Sequence, residues 1–270
     1  MRKCLIRKYL EVFRLSFKMQ IVWRFDVVMT MVATIARIVA AWVLWQAIFE
    51  GKEQVGGFGL EAMLSYYVVC SIVSSIDFSN HISGEVSWLI REGRFSGRMV
   101  APMNPIGFFG SMTAGQSAFH LIFSFIAAAV CAVAFGMHIA LAADIARILL
   151  AVAMIPLGLA FMAGYHFFVG TMTFKFLDID FFLHVQGSII AFATGAMIPL
   201  ALLPQGVLSV LRFLPFTHVV FTPSMLLTGQ MSAQEGLFGF AVIAAWAAAM
   251  LFIAQRTYGR LRVQYDGVGI

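Results

Sequence analysis

The sequence predicts an all-α membrane protein with six transmembrane helices, and three observations support this prediction. Hydrophobic residues make up 61% of the 270-residue chain and charged residues 11%, and the mean hydropathy is +0.91. The apolar residues gather in about six long runs, and the basic residues cluster on alternate sides of those runs. Since the bilayer core holds no water for backbone groups, an apolar run of about 20 residues must cross it as a helix.

The N-terminal segment, residues 1–24, predicts an amphipathic helix that lies in the lipid headgroup layer. Basic residues fill much of its surface beside an apolar stripe at four-residue steps, a distribution typical of interfacial helices. The stripe comprises Leu5, Tyr9, Phe13 and Phe17, widened by Ile6 and Leu10. Two roles remain open, simple anchoring to the membrane and support of a cytosolic partner. Because the first long apolar run begins only after this segment, we expect a retained N-terminus rather than a cleavable signal peptide.

The rest of the chain predicts one six-span bundle over residues 27–254 and a cytoplasmic tail over residues 255–270, so that residues 1–270 form a single domain. The predicted spans are residues 27–49, 62–78, 106–135, 145–174, 181–203 and 237–254. Small residues let membrane helices approach closely, and we expect this of Gly158, Gly164 and Gly170 in the fourth span. Asp178 and Asp180 are expected to cap the fifth span, where the helix dipole favours acidic groups.

The distribution of basic residues predicts the orientation. With the N-terminus inside, the cytoplasmic segments hold fourteen Lys and Arg residues and the outer segments hold three. Because Lys and Arg are enriched on the cytoplasmic side, we expect a multi-pass protein of the cell (inner) membrane with both termini in the cytoplasm. The inner set is Arg2, Lys3, Arg7, Lys8, Arg14, Lys18, Arg24, Arg91, Arg94, Arg98, Lys175, Arg256, Arg260 and Arg262, and the outer set is Lys52, Arg147 and Arg212.

Between the fifth and sixth spans the sequence predicts two re-entrant outer helices. Residues 206–214 and 218–227 are apolar, but each run is about ten residues long and is too short to cross the hydrocarbon. Pro204, Pro215 and Pro223 punctuate them. The alternative is that one of the two runs merely extends the fifth span.

The main internal loop, residues 79–105, predicts a short amphipathic helix on the cytoplasmic side between spans 2 and 3. Ser83 can begin it and Gly93 can end it, and Val86, Leu89 and Ile90 form an apolar stripe. A cytosolic protein that grips this helix can move two spans at once. The alternative is a helix that only lies on the membrane surface.

Three stretches of the chain resemble the ABC-2 type permeases, the membrane subunits of ABC exporters. The resemblance covers nearly the whole chain and agrees with the six-span count. One departure lies at Ala101-Pro102, where Arg or Lys before the proline is common in the family. The stretches are the loop ISGEVSWLIREGRFSGRMVAPMNP, the outer region GAMIPLALLPQGVLSVLRFLPFTHVVFTPSMLLTG and the tail RTYGRLRVQYDGVGI, which is similar to the YxGxG ending of one subgroup whose permeases often work as pairs.

The resemblance implies a partner ATPase in the cytosol, a second permease (identical or related) and alternating access within membrane lipid. ATP and Mg²⁺ would then bind the ATPase, and this chain has no phosphate-binding G-x-x-x-x-G-K-[ST] loop of its own. We therefore expect no catalytic site and no cofactor in this chain. The implied ATPase-coupling residues are Glu85, Val86, Trp88, Leu89, Ile90, Arg91 and Glu92, and the implied outer gate comprises Pro204, Leu211, Pro215, Phe216 and Pro223.

Arg37 and three histidines are the polar residues inside the spans that we single out. Arg37 lies near the middle of span 1, where a charge costs about 2.5–3.5 kcal/mol, so we expect it to face protein or a wet cavity. Both a translocation-path role and a structural ion pair remain open. His120, His166 and His184 lie on different spans, and we expect each to be a hydrogen-bonded helix contact rather than a metal ligand.

Composition and motifs argue against other classes of protein. The basic residues lie beside the spans, which fits anionic lipid better than nucleic acid, and the three cysteines are too far apart to suggest a zinc site. An ATP-independent secondary transporter or channel is the alternative function, but such proteins normally carry intramembrane acidic residues, which the middles of these spans lack. A membrane enzyme would need a catalytic cluster such as HExxH, which is absent.

Overall fold

The computed structural model of the protein describes residues 2–77, 79–176 and 178–264, and this part of the chain is helical without strands. Short 3₁₀ helices at Leu200–Leu202, Pro215–His218 and Arg262–Gln264 supplement the α-helices. The α-helices, in chain order, are α1 (Arg2–Val22), α2 (Arg24–Ile48), α3 (Leu60–Ile76), α4 (Asn80–Arg91), α5 (Ser96–Met99), α6 (Pro105–Ala134), α7 (Ile145–Thr171), α8 (Thr173–Phe176), α9 (Asp180–Ala193), α10 (Gln205–Leu211), α11 (Phe221–Leu227) and α12 (Ala233–Leu261).

The helices confirm the all-α membrane class, although the number of spans depends on how a bent pair is counted. Five helical stretches in the described part of the chain are long and apolar enough to cross a bilayer. A sixth arises if the pair Gln205–Leu211 and Pro215–Leu227, bent by 85°, counts as one span. The five are Phe25–Ile48, Leu60–Arg91, Pro105–Ala134, Ile145–Phe176 and Ala233–Leu261.

The predicted fifth span is wrong in its second half. Helix α9 has 14 residues, so at 1.5 Å per residue it covers about 21 Å, less than the ~30 Å of a hydrocarbon core. The helix stops because the chain turns at Gly195, whose φ of +77° favours glycine. A Cβ at Gly195 would also lie 3.1 Å from the Tyr66 hydroxyl. The sequence prediction missed this turn because residues 194–203 are mostly apolar and favour a continuation of the helix.

The last helix is longer than the sequence predicted, at both of its ends. Helix α12 begins with a capping box in which the Ser232 hydroxyl accepts from the Glu235 amide at 3.3 Å, and Glu235 accepts from the Ser232 amide at 3.3 Å. It then continues to Leu261. The predicted tail at residues 255–270 therefore begins as helix, and its final residues, 265–270 with the YxGxG-like ending, lie outside the described residues.

Helix α7 packs against α4, α6, α11 and α12, and its glycines confirm the predicted close approaches. A Cβ at Gly158 would lie 3.4 Å from the Val219 Cα, and one at Gly164 would lie 3.2 Å from Leu251. One at Gly170 would lie 2.8 Å from the Cβ of Val86 in α4 and 3.0 Å from the Ser83 carbonyl oxygen. These glycines set how closely the outer region, α12 and α4 approach α7.

Helix α1 packs against protein along its apolar stripe. It runs in the same direction as the first half of α6, and the contacts succeed one another along both helices. Ile6, beside the stripe, is 67% exposed, and a headgroup-layer position of α1 stays a prediction. The contacts are Tyr9 with Gly107, Phe13 with Gly115, Phe17 with Phe119 (ring centroids 5.2 Å apart) and Gln20 with His120 (3.1 Å between Oε1 and Nε2).

The segments predicted to share a side of the membrane lie together. At the outer end, which we define as residues 49–59, 135–144 and 194–232, the Ala142 amide donates to the Leu227 carbonyl at 2.8 Å. At the inner end, residues 77–105, 172–180 and 255–264, the rings of Phe95 and Tyr258 lie 6.0 Å apart. The two ends therefore assemble from segments distant in sequence.

Candidate functional site

The predicted loop helix is present as α4, but it begins earlier than expected. Its first residue is Asn80, after a turn in which the Asp77 carboxylate accepts from the Ser79 amide at 3.0 Å. Ser83 is buried inside the helix, where its hydroxyl donates to the Asn80 carbonyl at 2.9 Å and lies 3.3 Å from His166 Nδ1. The prediction that Ser83 begins the helix is therefore wrong. The helix ends at Arg91, just before Gly93 with a φ of +70°, which confirms the predicted end.

The apolar stripe of α4 points into the bundle. Val86, Leu89 and Ile90 are exposed by 0%, 8% and 7%, and they join an apolar cluster with Phe109 and Phe167. These three residues of the implied coupling set are thus unavailable to a partner. The stripe packs inward because Gly170 leaves room for Val86 on α7, a long-range fit that the helical spacing did not reveal.

The opposite face of α4 is aromatic and charged. Trp88 is 45% exposed, Arg91 and Glu92 are exposed and Glu85 is half-buried. The Arg94 guanidinium lies 5.1 Å from the centre of the Trp88 ring, within the range of a cation–π interaction. This face has the aromatic and arginine content that is enriched in protein–protein contacts.

Arg91 fastens α4 to the start of α9. Its guanidinium donates to both carboxylate oxygens of Asp180, at 2.9 and 3.3 Å, and lies 3.9 Å from Asp178. Asp178 accepts from the Asp180 amide at 2.9 Å, as a cap would, but Asp180 is itself the first residue of α9 and Ile179 takes the N-cap position, so the predicted capping role of Asp180 is wrong. The link to Arg91 was missed by sequence reasoning, because the partners are 89 residues apart and no local pattern joins them.

Arg37 lies at the surface of the single chain, where it lines two adjoining grooves. Their volumes are about 380 and 690 Å³, and both are also lined by Ser74, Asp77 and Asn80. None of the ion pairs within 4.0 Å among the described residues includes Arg37. Both the translocation-path role and a structural ion pair of Arg37 stay predictions. His166 lines the larger groove and so connects α4, through Ser83, to that surface.

Two of the three singled-out histidines confirm their expected role. His120 contacts Gln20 of α1, and His166 contacts Ser83 of α4. His184 differs, because it is exposed and its Nδ1 lies 2.9 Å from the Asp180 carbonyl of its own helix. No group of three or more potential metal ligands occurs among the residues that the structure describes.

The outer region has the broken-helix geometry that the prolines predicted. Pro204 precedes α10, Pro215 begins the 3₁₀ helix and Pro223 lies in the first turn of α11. The Phe216 ring packs against Phe161 and Tyr165 of α7, with centroids 5.4 and 5.5 Å away. The outer region is therefore a packed part of the bundle rather than a surface loop.

Two further side chains hold this bend together. Leu211 is buried, and its carbonyl accepts from the Thr217 hydroxyl at 2.9 Å. His218 is 3% exposed; its Nε2 lies 2.9 Å from the Arg212 carbonyl and its Nδ1 lies 2.8 Å from the Thr222 hydroxyl. Sequence reasoning missed His218, since its partners come together only through the bend.

The family comparison supports the resemblance found in the sequence. The family model described as "ABC-2 family transporter protein" matches residues 35–269, which extend from the middle of α2 to the end of the chain. The chain therefore belongs to the ABC-2 family, and it is a multi-pass membrane permease of an ABC transporter. Membership implies association with ABC ATPase subunits. A search of curated proteins gave no match.

Proposed function

We propose that the chain is the permease subunit of an ABC exporter, driven by separate cytosolic ATPase subunits and paired with a second permease. The observation that carries this proposal is the two-faced build of α4. One face is packed into the bundle, and the other offers Trp88, Glu92 and Arg94 to a partner. A family member without an ATPase site of its own needs such a surface.

Movement of α4 would be transmitted because its inner face is rigidly packed. Val86 fits against Gly170 in α7, and Arg91 holds Asp180 at the start of α9. Close-packed interiors transmit displacement instead of absorbing it. When the ATPases close on ATP, we expect α4 to carry α7 and the start of α9 with it, opening one side of the path and closing the other.

The path itself would run along the grooves that Arg37 lines, completed by the second permease, with the outer region as the gate. Arg37 supplies a charged group at the depth of the spans, where a charge persists only if water or a polar group solvates it, and Asp77 and Asn80 line the same grooves at the inner end. At the outer end Leu211, Phe216 and the three prolines form the gate. We infer from the basic residues that both termini are cytoplasmic and that the inner end meets the ATPases.

The first test is coupling to the ATPase. The tagged chain is co-expressed with an ABC ATPase encoded beside it, the complex is purified, and ATP hydrolysis is measured in lipid. The double variant Trp88→Ala and Glu92→Arg should insert normally but reduce co-purification or hydrolysis by about tenfold, because exposed aromatic residues are frequent binding hot spots. Trp246→Ala is the matched control, since Trp246 is similarly exposed (40%) but lies in α12.

Two results would contradict the proposal. If no ATPase co-purifies with the unmodified chain, an ATP-independent transporter or channel becomes the better assignment. If the α4 variant and the Trp246 variant behave alike, the outward face of α4 is not the coupling surface.

The second test concerns Arg37 and needs no substrate. In a background without Cys4, Cys70 and Cys131, a cysteine at position 37 should react with a membrane-impermeant thiol reagent in open vesicles. The reaction should slow when the ATPase is trapped with ATP, because the path then changes its exposure. A cysteine at the lipid-exposed Val43 (54% exposed) is the control and should stay unlabelled. If position 37 reacts only with reagents dissolved in the lipid phase, Arg37 faces the bilayer and does not line the path.

A further inference from the structure

A separate cavity lies at the outer end, away from Arg37 and from α4. It has a volume of about 570 Å³ and is enclosed by α10, α11 and the first turns of α12. Its wall is mainly apolar and includes Leu208, Phe221, Met225 and Phe238. Cavities of this size with a few polar groups at one place are typical of small-molecule sites.

The cavity adjoins the lipid-facing surface. Val210 and Phe213 of the bend are both 64% exposed, and Phe238 beside them is 46% exposed. In a multi-pass membrane protein, an apolar surface of this kind contacts acyl chains. The lipid of the outer leaflet is therefore the available ligand. Most of the cavity surface is apolar and suits a hydrocarbon chain, while Thr222, Gln230 and Gln234 add polar groups to the lining.

The rim of the cavity carries one positive and one negative group. Arg212 Nη2 lies 3.8 Å from Glu235 Oε1, and each side chain is 52% exposed. This separation is longer than a hydrogen bond, so the two side chains lie close to each other without a direct hydrogen bond between these atoms. The Arg212 backbone is fixed through its carbonyl by His218, and Glu235 is held by the capping box with Ser232.

We propose that this cavity binds a zwitterionic phospholipid whose headgroup bears a primary amine. An acyl chain would occupy the apolar interior, the phosphate would accept hydrogen bonds from Arg212, and the ammonium would donate to Glu235. A purely anionic headgroup would satisfy Arg212 but meet repulsion from Glu235. A quaternary ammonium would lack the N–H donors that the carboxylate accepts. This site lies apart from α4 and from the grooves that Arg37 lines, although its walls α10 and α11 also belong to the proposed gate.

Native mass spectrometry of the purified full-length chain tests the proposal. The protein is mixed with equal amounts of phosphatidylethanolamine, phosphatidylcholine and phosphatidylglycerol with identical acyl chains. We expect the ethanolamine lipid to give the dominant adduct. Arg212→Gln should reduce binding of all three lipids by about tenfold, as expected for the loss of charge-assisted hydrogen bonds, whereas Glu235→Gln should abolish the preference for the ethanolamine lipid.

The controls separate the headgroup from folding and from the acyl chain. Lys52→Gln removes an exposed outer cation that does not line the cavity, and this variant should bind as the unmodified chain does. Ala201→Phe, which fills the cavity, should reduce all adducts equally. Equal binding of the three lipids to the unmodified chain, or unchanged binding by Arg212→Gln, would overturn the proposal.

Discussion

The two ends of helix α7 hold short helices in different ways. At the inner end, α4 buries one face and is fastened from outside by the charged pair of Arg91 with Asp180. At the outer end, α11 is buried from Phe221 through Leu226, and its approach is held by neutral hydrogen bonds of Thr217 and His218. Both regions are close-packed, but only α4 shows a charged and aromatic face.

This difference follows from the surroundings of each end. A charged pair is tolerated where water can screen it, so the inner end can use Arg91 and Asp180 at its surface. Away from water an unpaired polar group is costly, and in the outer bend Thr217 and His218 are accordingly bonded to the Leu211 and Arg212 carbonyls. Helix α4 therefore keeps one face exposed, to which we assign the ATPase contact, whereas α11 is buried along most of its length.

The largest expected effect tests which end faces the cytoplasm. Single cysteines replace Arg94 at the inner end and Glu53 at the outer end, in a background without the native cysteines. A membrane-impermeant thiol reagent added to intact cells should label position 53 and leave position 94 unlabelled, because the basic residues hold the inner end inside. Permeabilised cells, in which both positions should react, are the control. Labelling of position 94 in intact cells would reverse the topology.

The next effect concerns the packing of α4 on α7. Gly170→Ala should lower the apparent Tm by about 5 °C, because the new Cβ would lie 2.8 Å from the Cβ of Val86 and overpacking costs about 1–3 kcal/mol. Gly187→Ala in α9 is the matched control, since nothing lies within 4 Å of its Cβ. There the better helix propensity of alanine should leave the Tm unchanged or raise it. Equal effects at the two glycines would show that α4 is not tightly seated.

A loss of comparable size is expected when the outer bend loses its histidine. His218→Ala should destabilise the protein by about 1–3 kcal/mol, because the Thr222 hydroxyl and the Arg212 carbonyl lose a buried partner. The thermal unfolding of purified protein measures this. His184→Ala removes an exposed histidine whose only described bond is within its own helix, and it should change stability by less than about 0.5 kcal/mol. A neutral His218→Ala would mean that the bend does not depend on these bonds.

The smallest effect is expected for the charged pair of the inner end. A double-mutant cycle with Arg91→Gln and Asp180→Asn should give a coupling of about 0.5–1 kcal/mol, because the two side chains are 36% and 50% exposed and solvent weakens their attraction. The same cycle for Arg14 and Glu11, which are 58% and 54% exposed, should give less. High salt should reduce both couplings. A coupling of zero at Arg91 and Asp180 would leave α4 held by packing alone.

The sequence by itself determined the class of the protein, the membrane runs and the short helices at both ends. It also identified the close-approach glycines of α7. The spacing of apolar residues, small residues and prolines can be read from a few neighbouring positions, so these features are visible without the tertiary structure. Two sequence predictions failed. Ser83 could have capped a helix but lies inside α4, and residues 194–203 are apolar enough to continue a helix but turn after α9 instead.

Only the tertiary structure decided which faces are available. In the tertiary structure Val86, Leu89 and Ile90 face inward, with Val86 against Gly170. Arg91 contacts Asp180, and Arg212 lies beside Glu235. These pairs come from segments far apart in the chain, and their geometry depends on how several helices pack at once. The periodicity of a helix shows that it has an apolar face, but the neighbour that the face meets is set by the packing of the whole bundle.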